Sequence, residues 1–217
     1  MRHPIRLLVV DDHLVVRKGV AALLADAPGI AVVGEAADGR QAVAEARRLR
    51  PRVILMELRL PQLDGVAAIR AILAEDPDAA ILVMTGGDVE AHALAALEAG
   101  ALGHLAKTSA GEEFVAAIRR VARGEAWLSP GLARKLLSHL KPRPTAEAAS
   151  PLTRRECEVL RRLARGWSNR RIAGDLGVAD CTVRTHVSRI LGKLGVSNRL
   201  EAALYALRAN LAPLEGS

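Results

Sequence analysis

The sequence predicts a doubly wound parallel α/β domain followed by a small all-helical domain. Through about residue 125, short apolar runs alternate five times with amphipathic stretches, which indicates a five-stranded parallel sheet with helices on both faces. From Leu152 onward the apolar residues follow helical spacing without strand-like alternation. We therefore expect domains at residues 1–125 and 151–217, joined by a linker with a short helix at residues 126–150.

Each predicted strand is a short apolar run, and a stretch with helical spacing follows it. The predicted strands are Ile5–Val10, Ile30–Ala36, Val53–Met56, Ala80–Thr85 and Gly103–Ala106. The predicted helices lie near residues 14–26, 38–49, 64–75, 88–99 and 111–123. In the linker, Ser129-Pro130 favours the start of a helix through about Leu140, after which Lys141-Pro142-Arg143-Pro144 resists regular structure.

Charge is distributed unevenly along the chain. Residues 1–130 carry 15 Lys and Arg against 17 Asp and Glu, whereas residues 152–217 carry 12 against 6. A basic second domain favours a polyanionic partner, although an Arg-rich surface that only solvates the domain is the alternative. The four aromatic residues are too few and too dispersed for base stacking, which argues against a single-strand or RNA binder.

Targeting and cysteine signals exclude other classes of protein. No stretch is long and apolar enough to span a bilayer, and the N-terminus runs into a strand rather than a signal peptide. Cys157 and Cys181 lack the spacing of a metal site. We therefore expect a cytoplasmic protein with reduced thiols and no membrane partner.

Carboxylates follow two of the predicted strands. Asp11 and Asp12 end the first strand, and Glu57 ends the third. Strand ends of an open parallel sheet converge on one crevice, so these carboxylates should lie together. A divalent cation and an ammonium group would relieve their repulsion. The pattern predicts a site for a hard divalent cation, and phosphoryl chemistry is the usual purpose of such a site.

Residues 5–123 resemble the receiver domain of two-component response regulators, which has a flavodoxin-like fold. The features that carry this resemblance are Asp11-Asp12, Leu55-Met56-Glu57, Pro61, Asp64-Gly65, Thr85 and Lys107, in this order.

The resemblance implies a role for each matching residue. Asp12, Glu57 and the carbonyl of Arg59 would ligate Mg²⁺, and Asp11 would act through water. The resemblance also implies that Thr85 hydrogen-bonds a phosphoryl oxygen, that Lys107 pairs with its charge, and that His104 takes the place of an aromatic residue that reports the state of the site. A partly exposed surface histidine is the alternative for His104.

Glu57 departs from the family, whose phosphoacceptor is an aspartate. The glutamate carboxylate reaches about one C–C bond further, and in-line transfer tolerates misplacement poorly. We expect a phosphorylation-independent or phosphomimetic receiver with weakened Mg²⁺ binding. A slow acceptor that a histidine kinase phosphorylates and a domain locked in its inactive form are the alternatives. The mimicry is crude, because a glutamate carries one unit of charge where an acyl phosphate carries about two.

Residues 152–211 resemble the LuxR-type helix-turn-helix domain of the NarL–FixJ class of response regulators. The matching segments are 152–160, 166–169, 172–173, 176–178, 182–187, 189–191, 193–196 and 198–199. Thr153 and Glu156 have capping-box spacing, Ser168 is a good N-cap, and Gly177 fits a helix C-terminus. In the third helix one stripe is apolar and should be buried; it consists of Val183, Val187, Ile190, Leu191 and Leu194.

The opposite face of this third helix is small and basic, as suits the major groove of duplex DNA. We expect Arg184 to contact a base edge, with guanine as its partner, and Thr185 and Ser188 to assist. Arg189 and Lys193 should hold phosphates. Thr182 and Arg170 complete the candidate DNA-binding residues.

Small residues along the last helix, namely Ala202, Ala203 and Ala206, suggest a dimer interface, because the resembled family pairs its DNA-binding domains through this helix. The prediction is a two-fold dimer on an inverted repeat. Packing of these alanines against the core of the same domain is the alternative for some of them.

The sequence therefore predicts a DNA-binding transcriptional regulator that is not an enzyme. The resemblance implies duplex DNA, a second copy of the chain, a histidine kinase and RNA polymerase as partners. Two other classes of protein compete with this interpretation. One is a Mg²⁺-dependent phosphohydrolase that uses the Asp11–Asp12–Glu57 cluster, and the other is a protein-interaction adaptor that does not bind DNA.

Overall fold

The structure, a computed structural model, describes residues 4–86, 90–129, 131–132, 152–196, 198–209 and 211. The chain divides into two compact units, which are Met1–Ala122 with Ala126–Ser129, and Arg123–Glu125 with Pro130–Ser217. Most of the helix predicted from Ser129-Pro130 to Leu140 lies outside the described residues. No helix in the described part of the chain has both the length and the apolar character that a bilayer span requires.

The first unit is a five-stranded parallel sheet in the order β2-β1-β3-β4-β5, which confirms the predicted fold class. Its strands are β1 (Ile5–Val10), β2 (Ile30–Ala36), β3 (Val53–Met56), β4 (Ala80–Thr85) and β5 (Gly103–Ala106). Its helices are α1 (Leu14–Ala25), α2 (Gly39–Leu49), α3 (Gly65–Glu75), α4 (Glu90–Glu98) and α5 (Gly111–Ala122).

The central strands are buried on both faces. Every residue of β3 and β4 is buried, because helices cover both sides of a parallel sheet, and this explains why these strands are continuous apolar runs in the sequence. The strand order reverses between β1 and β3, which places the crevice at the carboxyl ends of these two strands. The carboxylates predicted to lie together follow these same strands.

Two close backbone approaches fix the turn after β3. A side chain at Gly65 would place its Cβ 2.5 Å from the carbonyl oxygen of Glu57, and one at Gly39 would overlap the carbonyl of Leu63. Asp64 caps α3 by accepting hydrogen bonds from the N–H groups of Val66 and Ala67. The segment that carries Glu57 is therefore held at both ends.

Trp127 extends the sheet beyond β5. It forms a parallel bridge with Gly103, donates its N–H to the carbonyl of Leu102 and accepts a hydrogen bond from the N–H of His104. The guanidinium of Arg120 lies 5.6 Å from the centre of its ring. These contacts anchor the chain to the sheet directly after α5.

The second unit contains the helices α6 (Arg154–Ala164), α7 (Asn169–Leu176), α8 (Asp180–Leu194) and α9 (Arg199–Arg208). The predicted caps are confirmed: Thr153 and Glu156 form a capping box, and Ser168 accepts a hydrogen bond from the N–H of Arg171. Gly177 ends α7 with a φ of +64°, a conformation that glycine adopts without strain. Val183 and Ile190 of α8 are fully buried, and Val187, Leu191 and Leu194 pack against the same core.

Glu156 joins α6 to α8 through a buried ion pair. Its Oε2 lies 2.7 Å from Nζ of Lys193, and the side chain is almost completely buried. The hydrogen bond from Lys193 outweighs the effect of burial and lowers the pKa of Glu156 to about 2 from an ordinary 4.5. A carboxyl group whose pKa falls on folding stabilises the native state above its unfolded pKa.

We predict that Lys193→Met lowers the free energy of unfolding of the second unit by about 2 kcal/mol near neutral pH, because it leaves a buried carboxylate without its charged donor. The difference from wild type should shrink as the pH falls from about 4.5 towards 2 and Glu156 becomes protonated. Urea unfolding of a Trp127→Phe background, followed by Trp167 fluorescence, measures it.

Arg161→Met serves as the control, because Arg161 is an exposed cation of α6. A pH-independent difference between Lys193→Met and wild type would show that Glu156 is not the group responsible.

Candidate functional site

Glu57 lies in the crevice with both carboxylate oxygens engaged. Its Oε1 accepts hydrogen bonds from the N–H groups of Leu58 and Arg59, at 2.6 and 3.0 Å. Its Oε2 lies 2.7 Å from Nζ of Lys107. Only 5 % of the residue is exposed, so these three donors, which we call the Glu57 donor set, replace the water that a carboxylate would otherwise bind.

Lys107 lies between two carboxylates. Besides Glu57, its Nζ lies 2.6 Å from Oδ2 of Asp11, a side chain with no solvent exposure. The backbone N–H of Lys107 donates to the carbonyl of Thr85 and fixes the loop after β5. Burial lowers the pKa of Lys107, but hydrogen bonds to Asp11 and Glu57 outweigh it and raise the pKa above its usual value. The side chain is therefore an ammonium ion at neutral pH.

Asp11, Asp12 and His13 form a cluster whose ligand atoms all lie within 4.8 Å of one another. Asp11 is buried, whereas Asp12 and His13 are exposed. Nδ1 of His13 lies 2.7 Å from Oδ1 of Asp12. His13 was not predicted as a site residue, although its position directly after the two aspartates was a usable signal.

The cluster fits a hard divalent cation. Its two carboxylates are the oxygen ligands that Mg²⁺ prefers, and Oδ2 of Asp11 is buried beside the ammonium of Lys107, so a single cation already faces this oxygen. Glu57 was also predicted as a ligand, and its oxygens instead meet the Glu57 donor set. For Arg59 the structure places the N–H group, rather than the predicted carbonyl, at this carboxylate. Ligation by Glu57 and by the Arg59 carbonyl stays a prediction.

Arg17 stabilises the loop of Asp11 and Asp12 through its backbone, and it was not predicted as a site residue. Its Nη1 donates to the backbone carbonyls of Asp11 and Asp12, at 2.7 and 3.3 Å. Its Nε donates to Oε2 of Glu35 on β2, at 3.2 Å. Only 12 % of the Arg17 side chain is exposed, so this cation acts as a brace for the loop rather than as a surface charge.

Thr85 and His104 meet on neighbouring strands. Oγ1 of Thr85 lies 2.8 Å from Nε2 of His104. Thr85 is buried and His104 is half-buried, so the imidazole contacts the crevice through Thr85 and is also partly exposed. Burial lowers the pKa of His104, which keeps the ring neutral near neutral pH. The backbone N–H of the same residue bonds Trp127, so this residue contacts both the crevice and the start of the linker.

The predicted DNA-facing side chains of α8 lie on one exposed face. They are Thr182, Arg184, Thr185, Ser188 and Arg189. Arg170 of α7 is also exposed. Nε and Nη2 of Arg184 donate to Oδ2 of Asp180, at 2.9 and 2.7 Å. The hydroxyl of Thr185 donates to the carbonyl of Cys181. The helix thus presents the face that the sequence predicted, with two of its side chains already held by neighbours one turn away.

Lys193 does not belong to this face. Its ammonium was expected to hold a DNA phosphate, and the structure directs it to the buried carboxylate of Glu156. A buried carboxylate needs a cationic partner, and the last turn of α8 is the element that supplies one. The structure thus gives Lys193 a role within the helical unit, and its contact with a DNA phosphate stays a prediction.

Two of the three alanines predicted to form a dimer interface are core residues. Ala202 and Ala206 have no solvent exposure and pack with α6 and α8. The sequence was compatible with a dimer interface and with packing in the core of the same domain. Burial favours the core for Ala202 and Ala206. Ala203 is half-buried, and Tyr205 is exposed on α9. Tyr205 was not among the contacts predicted from the sequence.

We predict that Lys107→Met lowers the free energy of unfolding of the first unit by about 3 kcal/mol, because two buried carboxylates lose their shared cation. Millimolar Mg²⁺ should restore part of this loss by taking the place of the ammonium. Urea unfolding of a Trp167→Phe background, followed by Trp127 fluorescence, measures both effects.

Lys18→Met is the matched control, because Lys18 is an exposed lysine paired with Glu35. Equal losses for Lys107→Met and Lys18→Met would contradict the central role of Lys107.

Comparisons with known proteins identify the families to which the two parts of the chain belong. Residues 7–119 match the family described as response regulator receiver domain, and residues 150–206 match the family described as bacterial regulatory proteins, luxR family. The transcriptional regulatory protein LiaR of Bacillus subtilis (strain 168) is 43% identical over 210 residues, covering 95% of this chain and 99% of LiaR.

Solved structures are similar over nearly the whole chain. The crystal structure of response regulator ChrA, from a heme-sensing two-component system, has a TM-score of 0.53 and 36% identity and covers 97% of this chain and 100% of ChrA. A structure of two RcsB dimers bound to two parallel DNAs has a TM-score of 0.55 and 26% identity and covers 95% of this chain and 99% of the RcsB chain.

Proposed function

Because the chain belongs to the response regulators that join a receiver domain to a LuxR-type helix-turn-helix domain, we propose that it regulates transcription without phosphorylation, with Glu57 standing in for a phosphoryl group. The receiver domain then biases the protein towards its DNA-binding state. The single observation that carries this proposal is the Glu57 donor set.

The donors around Glu57 are those that an anionic phosphoryl oxygen would need. Two backbone N–H groups and an ammonium converge on its carboxylate, and preorganised donors of this kind stabilise transferred phosphoryl groups. An aspartate at this position would end one methylene earlier, whereas the longer glutamate carries its charge further from the backbone. The carboxylate of Glu57 therefore supplies part of the anionic charge that phosphorylation would bring.

The mimicry is partial for two reasons. The hydroxyl of Thr85 meets His104, whereas the resemblance assigns Thr85 to a phosphoryl oxygen. A carboxylate also carries about half the charge of a phosphoryl group. A shift from a mostly closed to a mostly open population needs roughly 5 kcal/mol, so Glu57 should supply a basal bias rather than full activation.

Phosphorylation of Glu57 by a histidine kinase is the second candidate function. Asp11, Asp12 and Lys107 support it, because they supply the carboxylates and the cation that this chemistry uses. Bound Mg²⁺ would polarise the transferring phosphoryl group. Against this function stand the three donors that hold Glu57, because hydrogen bonds and the nearby ammonium lower the nucleophilicity of the carboxylate oxygens. We propose no hydrolytic turnover at this cluster.

The DNA-binding unit would insert α8 into the major groove. Arg184 would contact a guanine, and Thr185 would present its methyl group to a thymine methyl because its hydroxyl is bonded to Cys181. Ser188 would bond a base edge, and Thr182, Arg189 and Arg170 would hold phosphates. RcsB binds DNA as dimers, and by analogy we propose a two-fold dimer on an inverted repeat that uses Ala203 and Tyr205 of α9.

We predict that the wild-type protein binds its selected duplex equally well with and without acetyl phosphate and Mg²⁺. Glu57→Ala should bind about 10-fold more weakly, which corresponds to the loss of about 1.4 kcal/mol of bias. Glu57→Asp should become dependent on the phosphodonor. Fluorescence anisotropy with a duplex recovered from a randomised pool measures binding, and intact mass spectrometry measures phosphorylation.

Glu57→Gln is the matched control, because it keeps the length of the side chain and removes its charge. A stable phosphoryl adduct on wild-type Glu57 that strengthens DNA binding would replace the proposed function by the second candidate.

Phosphate contacts can be separated from base contacts by salt dependence. We predict that Arg189→Ala weakens binding to all duplexes alike and reduces the slope of log K against log salt by about 1. Lys18→Ala, on the receiver domain, should leave this slope unchanged. An unchanged slope for Arg189→Ala would remove Arg189 from the phosphate contacts.

A further inference from the structure

The recognition helix α8 carries one acidic residue, Asp180, at its first position. DNA is a polyanion, so an unpaired carboxylate on this helix would repel the phosphates and cost affinity. The helix dipole favours an acidic residue in the first turn, but an uncharged residue at this position would avoid the repulsion from DNA. In the structure, Asp180 is paired with a cation one turn away, Arg184.

Asp180 holds the guanidinium of Arg184 by one edge. Nε and Nη2 both donate to Oδ2, at 2.9 and 2.7 Å. The Arg184 side chain is 50% exposed and that of Asp180 is 35% exposed, and ion pairs this exposed add little to folding stability. The effect of the pair lies instead in the direction that it gives to the arginine, because a guanidinium is a rigid planar fork.

The direction matters for the choice of base. The contact with Asp180 uses the Nε–Nη2 edge, and a guanine would be bound by the Nη1–Nη2 edge when α8 enters the groove. Two parallel donors match the O6 and N7 acceptors that guanine presents together in the major groove. An arginine already held in one orientation also loses less rotamer freedom on binding.

We propose that Asp180 is a positioning residue that orients Arg184 towards one guanine in each half-site and so determines the sequence specificity of the protein. This inference rests on the proposed function, because it requires α8 to enter the major groove. Pairing also neutralises Arg184 towards phosphates, so Asp180 lowers the affinity for non-cognate DNA. Specificity often depends on such an unfavourable element for the wrong partner.

The test is selection from a duplex pool with randomised base pairs, followed by sequencing of the bound fraction. The full-length wild-type protein should enrich a guanine at one position of each half-site. Arg184→Ala should reduce the preference at that position by about 5- to 10-fold, and Asp180→Ala should reduce it at the same position by about 2-fold. Binding of Asp180→Ala to the unselected pool should be unchanged or stronger, since a negative charge has been removed.

Two further variants separate positioning from charge. Asp180→Asn keeps an acceptor for the guanidinium, so it should retain most of the guanine preference. Glu158→Ala removes a carboxylate that pairs with arginines on α6, and it should leave the preference intact. Thermal melting of each variant shows whether the helical unit is folded.

The outcomes are distinguishable. If folded Asp180→Ala keeps the wild-type guanine preference, or if Arg184→Ala changes a different position, the inference is overturned while the proposed function stands. A wild-type protein that enriches no motif overturns the proposed function and the inference together.

Discussion

The ammonium of Lys107 holds the functional edge of the sheet together. It lies between Asp11 and Glu57, two carboxylates that are almost completely buried and that would repel each other without it. Burial disfavours the charged form of a lysine, and here the two anions more than compensate for that cost. The same cation contacts Oε2 of Glu57, so the position of this carboxylate in the crevice depends on Lys107.

In both units, ion pairs with acidic side chains engage some of the lysine and arginine side chains. Glu156 engages Lys193 in the core of the helical unit, whereas Asp180 engages Arg184 on its surface. In the receiver domain, Arg17 joins the acidic loop to Glu35 on β2. The net positive charge of residues 152–217 therefore overstates the number of cations available to DNA, because some of the lysine and arginine side chains form ion pairs within the unit.

The sequence predicted the elements and the caps well because these depend on local patterns. The strand bounds follow from short apolar runs. The capping box at Thr153 and the buried stripe of α8 likewise follow from residues that are close in the sequence. Lys193 and Glu156 are separated by 37 positions, and no local pattern reveals that contact. The alanine stripe of α9 has the same spacing whether it faces a core or a partner, so only the packed structure could assign Ala202 and Ala206. The contact between Thr85 and His104 depends on the pairing of β4 with β5, in which Val83 is opposite His104. This strand register is not visible in a local sequence pattern.

Trp127 has a consequence for the solubility of the protein. β5 is an edge strand, and exposed strand edges invite intermolecular pairing and fibril growth. The carbonyl of Leu102 and the N–H of His104 are satisfied by the backbone of Trp127, and the indole ring with Arg120 lies beside them. Trp127 therefore covers part of the β5 edge with its own backbone. Truncation of the chain before Trp127 would expose this edge to pairing with a second copy of the chain.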